Sequence, residues 1–192
     1  MGITGGIGSG KTLVCSVLEK FGVPVYYADE EARRLMTTRP ELIRQIKDLF
    51  GSAAYTGNTL NSYLISERVF NDDGMLNRLN EVVHPVVRKD FSAWVKEQKE
   101  APYVVEEAAI LFESGSNRHL DETVLVFAPE DLRIKRVMQR DGVDEGSIRK
   151  RMKHQMDEEE KKKLADHILI NDESTMLLPQ IIRLHQQIVN RK

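Results

Sequence analysis

The chain has 192 residues and a formal net charge of −2 at pH 7, with 41% hydrophobic and 30% charged residues. This balance is typical of a globular domain with a real core, and it creates no global field that favours nucleic acid or an anionic membrane. No apolar run approaches the roughly 20 residues that span a bilayer, and a single cysteine, Cys15, excludes a disulfide framework within the chain. We therefore expect a cytoplasmic protein, with Cys15 packed as a small apolar residue and with no nucleic-acid or membrane partner.

A phosphate-binding loop begins at the fifth residue. Residues 5–12 read Gly-Gly-Ile-Gly-Ser-Gly-Lys-Thr and fit the pattern G-x-x-x-x-G-K-[ST] at every position. Glycines let backbone N–H groups approach phosphate oxygens closely, Lys11 can reach the β- and γ-phosphates, and the Thr12 hydroxyl can bind Mg²⁺. The pattern predicts a nucleoside triphosphate site. Since only residues 1–4 precede the loop, either the first strand is very short or upstream residues are missing.

Strand and helix patterns alternate along the rest of the chain. Strands are predicted at residues 23–27, 102–105 with a continuation into 108–112, 123–127 and 167–170. Helices are predicted over residues 11–21, 30–36, 39–50, 64–83, 85–95, 129–140 and 176–189. His84-Pro85 is interpreted as a helix start, because proline is tolerated in the first turn. This alternation predicts a doubly wound, mostly parallel five-stranded α/β sheet.

The domain organisation follows from the lengths of the connections. We expect one domain over residues 1–192. The helical block at about 39–100 is too long for a simple crossover, so it is predicted to be an inserted acceptor-binding subdomain. Residues of about 130–163 are predicted to form a helical lid with breaks at Gly142 and Gly146.

Carboxylates stand at the predicted strand ends, where ligands bind in such sheets. Asp29 follows the second strand and could accept a proton from an attacking hydroxyl or help to hold Mg²⁺. The alternative is that it caps the helix beginning at Glu30. Glu106, Glu107 and Glu113 flank the third strand, although Asp is the more usual metal ligand at such a position.

The predicted lid is strongly basic. Arg133, Arg136 and Arg140 are spaced i, i+3, i+7, which places them on one helix face. Such a face could neutralise charge on a transferred phosphoryl group once the lid closes, or it could be a solvated surface. The run at residues 157–163 alternates acidic and basic blocks, and it is interpreted as a solvated helix stabilised by i,i+4 pairs.

The ordered combination of motifs resembles the dephospho-coenzyme A kinases, which use ATP to phosphorylate the ribose 3′-hydroxyl of dephospho-CoA. The resemblance covers nearly the whole chain. Its pieces are residues 4–11, Ala28-Asp29 with Ala32-Arg33, Val83-His84-Pro85 with Arg88, residues 111–115, residues 136–141, Arg151 with Gln155, and residues 165–172. Ser62 and Ala109 depart from the family pattern, so acceptor contacts at those positions are not carried over.

The resemblance implies a P-loop kinase with ATP and dephospho-CoA as substrates and Mg²⁺ as cofactor, acting as a monomer or small homo-oligomer. It implies that Asp29 is the catalytic base and that Lys11 and Arg140 act on the phosphoryl group, with Thr12 on the metal. The implied ATP-binding residues are Gly6, Ile7, Gly8, Ser9, Gly10, Lys11, Thr12, Leu13 and, near the adenine, Asn171. The implied acceptor-binding residues are Asp29, Arg33, His84 and Arg88.

Two alternatives remain open on the sequence. The first is another small-metabolite kinase of similar architecture, such as a nucleoside monophosphate or shikimate kinase, from which the His84-Pro85 segment distinguishes the chain. The second is an ATP-binding regulatory module that hydrolyses ATP slowly without an acceptor. A GTPase switch is disfavoured because the guanine-reading motif is absent.

Overall fold

A computed structural model describes the backbone of residues 1–191 and every side chain among them except those of residues 70, 71 and 73. Contacts divide the chain into two compact units. The first unit contains Met1–Tyr27 and the residues from Gln98 onward, and the second contains Ala28–Glu97. None of the helices in residues 1–191 has both the length and the apolar composition that a membrane span requires.

Strands and helices are numbered here in chain order. The strands are β1 (Gly2–Thr4), β2 (Val25–Tyr27), β3 (Tyr55–Thr56), β4 (Thr59–Leu60), β5 (Val105–Glu107), β6 (Thr123–Phe127) and β7 (His167–Ile170). The helices are α1 (Lys11–Lys20), α2 (Ala28–Thr38), α3 (Pro40–Phe50), α4 (Ser62–Asn71), α5 (Asp73–Glu97), α6 (Glu130–Asp141), α7 (Glu145–Met152), α8 (Glu158–Leu164) and α9 (Leu177–Val189).

The first unit is built on a five-stranded sheet in the order β2-β5-β1-β6-β7, and every neighbouring pair is parallel. The predicted fold class is therefore confirmed. Apolar and β-branched residues fill β6 because a parallel strand in such a sheet is covered on both faces. In a sheet of this order, ligands bind at the carboxyl ends of the strands, where the central β1 runs into the phosphate loop.

The core of the first unit joins this sheet to α1 and α9. Ile3 of β1 and Val124 of β6 pack with Val14, Cys15 and other buried residues. Cys15 is fully buried, and burial raises the pKa of its thiol far above the ordinary value. The predicted packing role of Cys15 is confirmed, since a buried protonated thiol is a poor nucleophile.

The second unit is a helical assembly of α2 to α5 with a small antiparallel hairpin, β3-β4. The inner face of α3 is fully apolar, with Leu42, Ile46 and Phe50 buried. The hydroxyl of Tyr55 in β3 donates a hydrogen bond of 2.7 Å to the carbonyl of Met36, which ties the hairpin to α2. Desolvation raises the pKa of Tyr55 to about 12, so its hydroxyl keeps the proton that it donates to Met36 well above physiological pH.

The predicted helix start at His84-Pro85 is wrong, because α5 runs from Asp73 to Glu97 with Pro85 inside it. An interior proline removes one backbone hydrogen bond and disfavours the helix. Packing outweighs that loss here: α5 contacts α2, α3 and α4, and Val83, Val87 and Phe91 are buried on both sides of the proline.

The third predicted strand is displaced along the chain. Residues 102–104 lie outside the sheet, and β5 is Val105–Glu107. The predicted continuation through residues 108–112 is not a strand, and residues 109–112 form turns. The register pairs Glu106 with Gly2 of β1 and with Tyr26 of β2. The strand position is therefore taken by two glutamates, which pair with strands on both sides, and not by the more apolar residues that follow them. Leu111 is nevertheless fully buried from its turn position.

Candidate active site

The phosphate loop connects β1 to α1 in the first unit. Gly8 and Gly10 have left-handed backbone conformations, with φ of 81° and 96°, and Gly10 immediately precedes α1. A Cβ atom at Gly10 would lie 2.3 Å from Asn171 Nδ2, so a side chain would strain the backbone and displace the Asn171 amide. The backbone conformation of the loop therefore explains why glycine is needed at these positions of the motif.

Two side chains hold the loop from outside. Asn171 follows β7 and donates from Nδ2 to the carbonyl of Ser9 at 2.8 Å. Gln155, between α7 and α8, accepts a hydrogen bond of 3.0 Å from the backbone N–H of Ile7. The structure thus gives the Asn171 amide a contact with the loop, and its predicted place near adenine stays a prediction.

Lys11 lies at the start of α1 with its ammonium directed back over the loop. Its Nζ donates to the carbonyl of Gly5 at 3.0 Å and lies 3.6 Å from Glu107 Oε1 at the end of β5. The Lys11 and Glu107 side chains are only 11% and 9% exposed, which strengthens their attraction relative to a surface pair. A cation is therefore already placed where the loop would receive phosphate oxygens.

The oxygen atoms near Lys11 suit a divalent cation. Thr12 lies exposed in the first turn of α1, and Glu107 supplies a carboxylate close to the same loop. Among the described residues, no cluster of three or more His, Cys, Asp or Glu could hold a metal by itself. A divalent cation at this loop would therefore complete its coordination with nucleotide phosphates and water.

The three arginines of α6 that were predicted to lie in a lid have different environments although their spacing is helical. Arg133 is buried and donates from Nε to the carbonyl of Ala128 at 3.1 Å. Arg136 contacts the carbonyl of Asn171 at 3.1 Å. Arg140 is 64% exposed, and two hydrogen bonds of 2.6 and 3.0 Å join its guanidinium to Asp141. Of the three, Arg140 has the guanidinium most exposed to solvent.

The predicted acceptor residues belong to the second unit. Asp29 is exposed in the first turn of α2, with Arg33 one turn later. The helix begins at Ala28, so Asp29 does not occupy the N-cap position that the alternative interpretation required. His84 and Arg88 lie one turn apart on α5.

Electrostatics connects three of these acceptor residues. Desolvation lowers the pKa of His84, the positive charge of Arg88 lowers this pKa further, and the charge of Asp29 opposes both effects. The second unit thus brings Asp29, His84 and Arg88 within interaction range. A lowered pKa keeps the His84 imidazole neutral at pH 7, so it offers hydrogen bonds rather than charge.

We expect acid to destabilise the wild type more than a His84→Gln variant. The unfolded chain takes up the histidine proton near pH 6.5, whereas the lowered pKa of His84 delays that uptake in the folded protein. The free energy of unfolding therefore falls as pH drops from about 6.5 towards the folded pKa. Thermal midpoints measured between neutral and mildly acidic pH should fall more steeply for the wild type. His119→Gln, at an exposed site, is the matched control, and equal pH slopes for wild type and His84→Gln would contradict the expectation.

Comparison with known proteins decides the family. A family model described as dephospho-CoA kinase matches residues 1–176. The chain belongs to the dephospho-CoA kinase family. It is 47% identical over 176 residues to the dephospho-CoA kinase of Salinibacter ruber, covering 90% of this chain and 88% of that protein. It is 38% identical over 184 residues to the dephospho-CoA kinase of Bacteroides fragilis, covering 96% and 90%.

Solved structures agree with the fold. A crystal structure of the protein TT1252 from Thermus thermophilus superposes with a TM-score of 0.83 at 37% identity, covering 98% of this chain and 94% of that one. The dephospho-CoA kinase from Campylobacter jejuni gives a TM-score of 0.70 at 24% identity, with coverage of 98% and 96%, and supports the fold alone. The resemblance stated from the sequence is confirmed, and the chain is an enzyme of a kinase family that uses ATP with a divalent metal.

One group of buried residues was missed by the sequence analysis. The run at residues 157–163 was predicted to be a solvated helix, but Glu158 is buried and Lys161 is fully buried. Lys161 Nζ lies 3.1 Å from Glu113 Oε1, a contact between positions 48 residues apart in sequence. The sequence pattern of alternating charge blocks is the same whether the helix faces water or packs against a distant carboxylate. The one available signal was Glu113 itself, within the family-like Leu-Phe-Glu segment.

Proposed function

We propose that this protein transfers the γ-phosphoryl group of ATP to the ribose 3′-hydroxyl of dephospho-CoA, which gives coenzyme A and ADP, the last step of coenzyme A biosynthesis. The observation that carries the proposal is the family match over residues 1–176. The phosphate loop supports it, because Lys11 and the glycines occupy the positions that a nucleoside triphosphate requires.

The finer properties in this proposal are the cofactor, the partners and the compartment. We infer Mg²⁺ as the divalent metal and ATP and dephospho-CoA as the binding partners. We infer a cytoplasmic monomer or small homo-oligomer that binds neither nucleic acid nor membrane. We further infer a single kinase domain over residues 1–192, with an acceptor-binding insertion at about 39–100 and a lid at about 130–163.

The reaction forms a bond between the 3′-oxygen and the γ-phosphorus and breaks the bond from that phosphorus to the β–γ bridging oxygen. The proton of the attacking hydroxyl must pass to a base, and we assign this role to Asp29. Arg33, His84 and Arg88 of the same unit are assigned to the acceptor, with a neutral His84 offering hydrogen bonds. This division is supported by the effects of the Asp29 and Arg88 charges on the pKa of His84.

On the ATP side, the backbone of residues 6–13 would cradle the phosphates and Asn171 would lie near the adenine. Lys11 would bind the β- and γ-phosphates, and Arg140 would meet the charge that spreads over the transferred group. Thr12, with Glu107 nearby, would hold Mg²⁺, which neutralises charge on the β- and γ-phosphates. The protein's own contribution is mainly to orient the two substrates and to exclude water.

The test is acceptor-dependent release of ADP. Purified protein with Mg-ATP is compared across dephospho-CoA, adenosine, AMP, shikimate and no acceptor. We expect that ADP release depends on dephospho-CoA. Mass spectrometry should show that the product is heavier than dephospho-CoA by one phosphate group. Release that depends on another acceptor would keep the kinase chemistry and overturn the substrate. Equal slow release in every sample would instead favour an ATP-driven module.

Replacing Arg140 by alanine is expected to lower kcat by about 10–100-fold and to leave the Kd for ATP nearly unchanged, because its charge acts mainly on the transferred group. Steady-state kinetics and equilibrium ATP binding measure the two effects separately. Lys135→Ala, at an exposed site of the same helix, is the matched control. An unchanged kcat for Arg140→Ala would place Arg140 on the solvated surface instead.

A further inference from the structure

An ion-pair cluster around a buried lysine lies in the first unit, beside the phosphate loop. It consists of Glu113, Glu158 and Lys161 and is called the Glu113 cluster below. The Lys161 side chain is 0% exposed, and its Nζ lies 3.1 Å from Glu113 Oε1 and 3.9 Å from Glu158 Oε1. Burying an ammonium ion is costly even when it is paired, and apolar residues of similar volume often replace buried pairs without loss. Stability alone therefore does not explain these charges.

Glu113 connects two positions of the lid. Besides its ion pair with Lys161, Glu113 Oε1 accepts a hydrogen bond of 2.7 Å from the backbone N–H of Met156. One carboxylate oxygen thus holds both ends of residues 156–161. Gln155 precedes Met156 directly and contacts the N–H of Ile7. Glu113 is therefore connected to the phosphate loop through two adjacent residues of the lid.

Glu158 reaches the same loop from a second direction. A Cβ atom at Gly6 would lie 2.9 Å from Glu158 Oε1 and 2.1 Å from Arg133 Nη1, so both side chains pack against the loop backbone. Both carboxylate oxygens of Glu158 are buried and make no hydrogen bond to the described residues. Lys161 is the cation that holds this carboxylate on its own helix turn.

We propose that Glu113 and Lys161 are positioning residues for phosphoryl transfer. They fix residues 155–161 so that Gln155 and Glu158 hold the phosphate loop in its nucleotide-binding shape. Arg140 then interacts with the transferred phosphoryl group. The inference rests on the proposed kinase reaction. A displacement of about 1 Å in reacting groups can cost roughly 100-fold in rate, so loss of the cluster would act on turnover without touching either substrate.

The variants Glu113→Gln, Lys161→Met and the double variant test this role. We expect each single variant to lower kcat by about 10-fold or more, while KM for dephospho-CoA stays within about twofold. The single variants should also lose thermal stability, because each leaves a buried charge without its partner. The double variant should keep the low kcat and regain little of that stability, because Glu158 stays buried without Lys161. Glu145→Gln, which breaks an exposed ion pair of the lid with Arg149, is the matched control and should retain the wild-type kcat.

A recovery of kcat together with stability in the double variant would show a purely structural pair and overturn the proposal. Single variants with kcat within twofold of wild type would also overturn it.

A second readout separates this inference from the proposed reaction. Trypsin can cut α7 and the segment after it at Arg149, Lys150, Arg151 and Lys153. We expect a non-hydrolysable ATP analogue with Mg²⁺ to slow this cleavage in the wild type and in Glu145→Gln, and to have little effect in Glu113→Gln. If the wild type fails to phosphorylate dephospho-CoA, the proposed function is wrong. The protection from trypsin by the ATP analogue then still tests whether Glu113 positions the lid. Equal protection of wild type and Glu113→Gln would overturn the inference.

Discussion

Replacing Asp29 by asparagine is expected to lower kcat by about 10²–10⁴-fold, the range for loss of a general base. The substitution keeps the size of the side chain and removes its ability to take the hydroxyl proton. Because Asp29 is exposed within the first turn of α2, neither the fold nor ATP binding should suffer appreciably. Initial rates at saturating ATP and dephospho-CoA, together with a thermal midpoint, measure both consequences.

The neighbouring Glu30→Gln variant is the matched control for Asp29→Asn. It removes a carboxylate from the same exposed helix turn, so general electrostatic effects on α2 should appear equally in both variants. A near-normal kcat for Asp29→Asn would exclude the base assignment. The charge of Asp29 also bears on His84, and its removal should lower the pKa of His84 further.

Replacing Lys11 by alanine is expected to lower kcat by about 10²–10³-fold, the scale of losing one preorganised donor to a charged transition state. It should also raise the Kd for ATP, since the ammonium contacts the β- and γ-phosphates in the ground state as well as during transfer. This combined loss distinguishes Lys11 from Arg140, whose removal is expected to affect kcat more than ATP binding. Single-turnover rates and direct nucleotide titration measure the two quantities.

The structure also predicts how Lys11→Ala affects stability. The variant removes the cation 3.6 Å from the buried carboxylate of Glu107 and the hydrogen bond to the Gly5 carbonyl. A Lys11→Ala/Glu107→Gln double variant should therefore be more stable than Lys11→Ala and remain equally inactive. Lys20→Ala, at the exposed end of the same helix, is the control. ATP binding by Lys11→Ala at wild-type affinity would contradict the assignment.

Much of the fold could be predicted because its signals are local. The apolar runs of β6 and β7 and the amphipathic patterns of α3, α6 and α9 were found close to their observed bounds. Two elements could not be found in this way. β5 contains two buried glutamates, and its position depends on pairing with β1 and β2. The continuity of α5 through Pro85 depends on the helices packed around it.

The same distinction between local signals and long-range contacts applies to the candidate site. The phosphate loop is recognised from spacing alone, because eight consecutive residues must supply its backbone shape, its lysine and its metal ligand. The roles of the α6 arginines cannot be recognised in this way. Helical spacing places Arg133, Arg136 and Arg140 on one face, whereas the structure gives each of them different contacts. The nucleotide-site residues and the acceptor residues named from the family remain assignments to be tested by the variants above.

By itself, the sequence determined the nucleotide chemistry, the parallel α/β class and the family, because each of these is written in short motifs and periodic patterns. Only the tertiary structure decided that Lys161 is buried against Glu113, that Gln155 and Asn171 hold the phosphate loop, and that Lys11 faces Glu107. These contacts join residues far apart in the chain. Their energy depends on burial and on the charge of the partner, and neither can be read from the residues on either side.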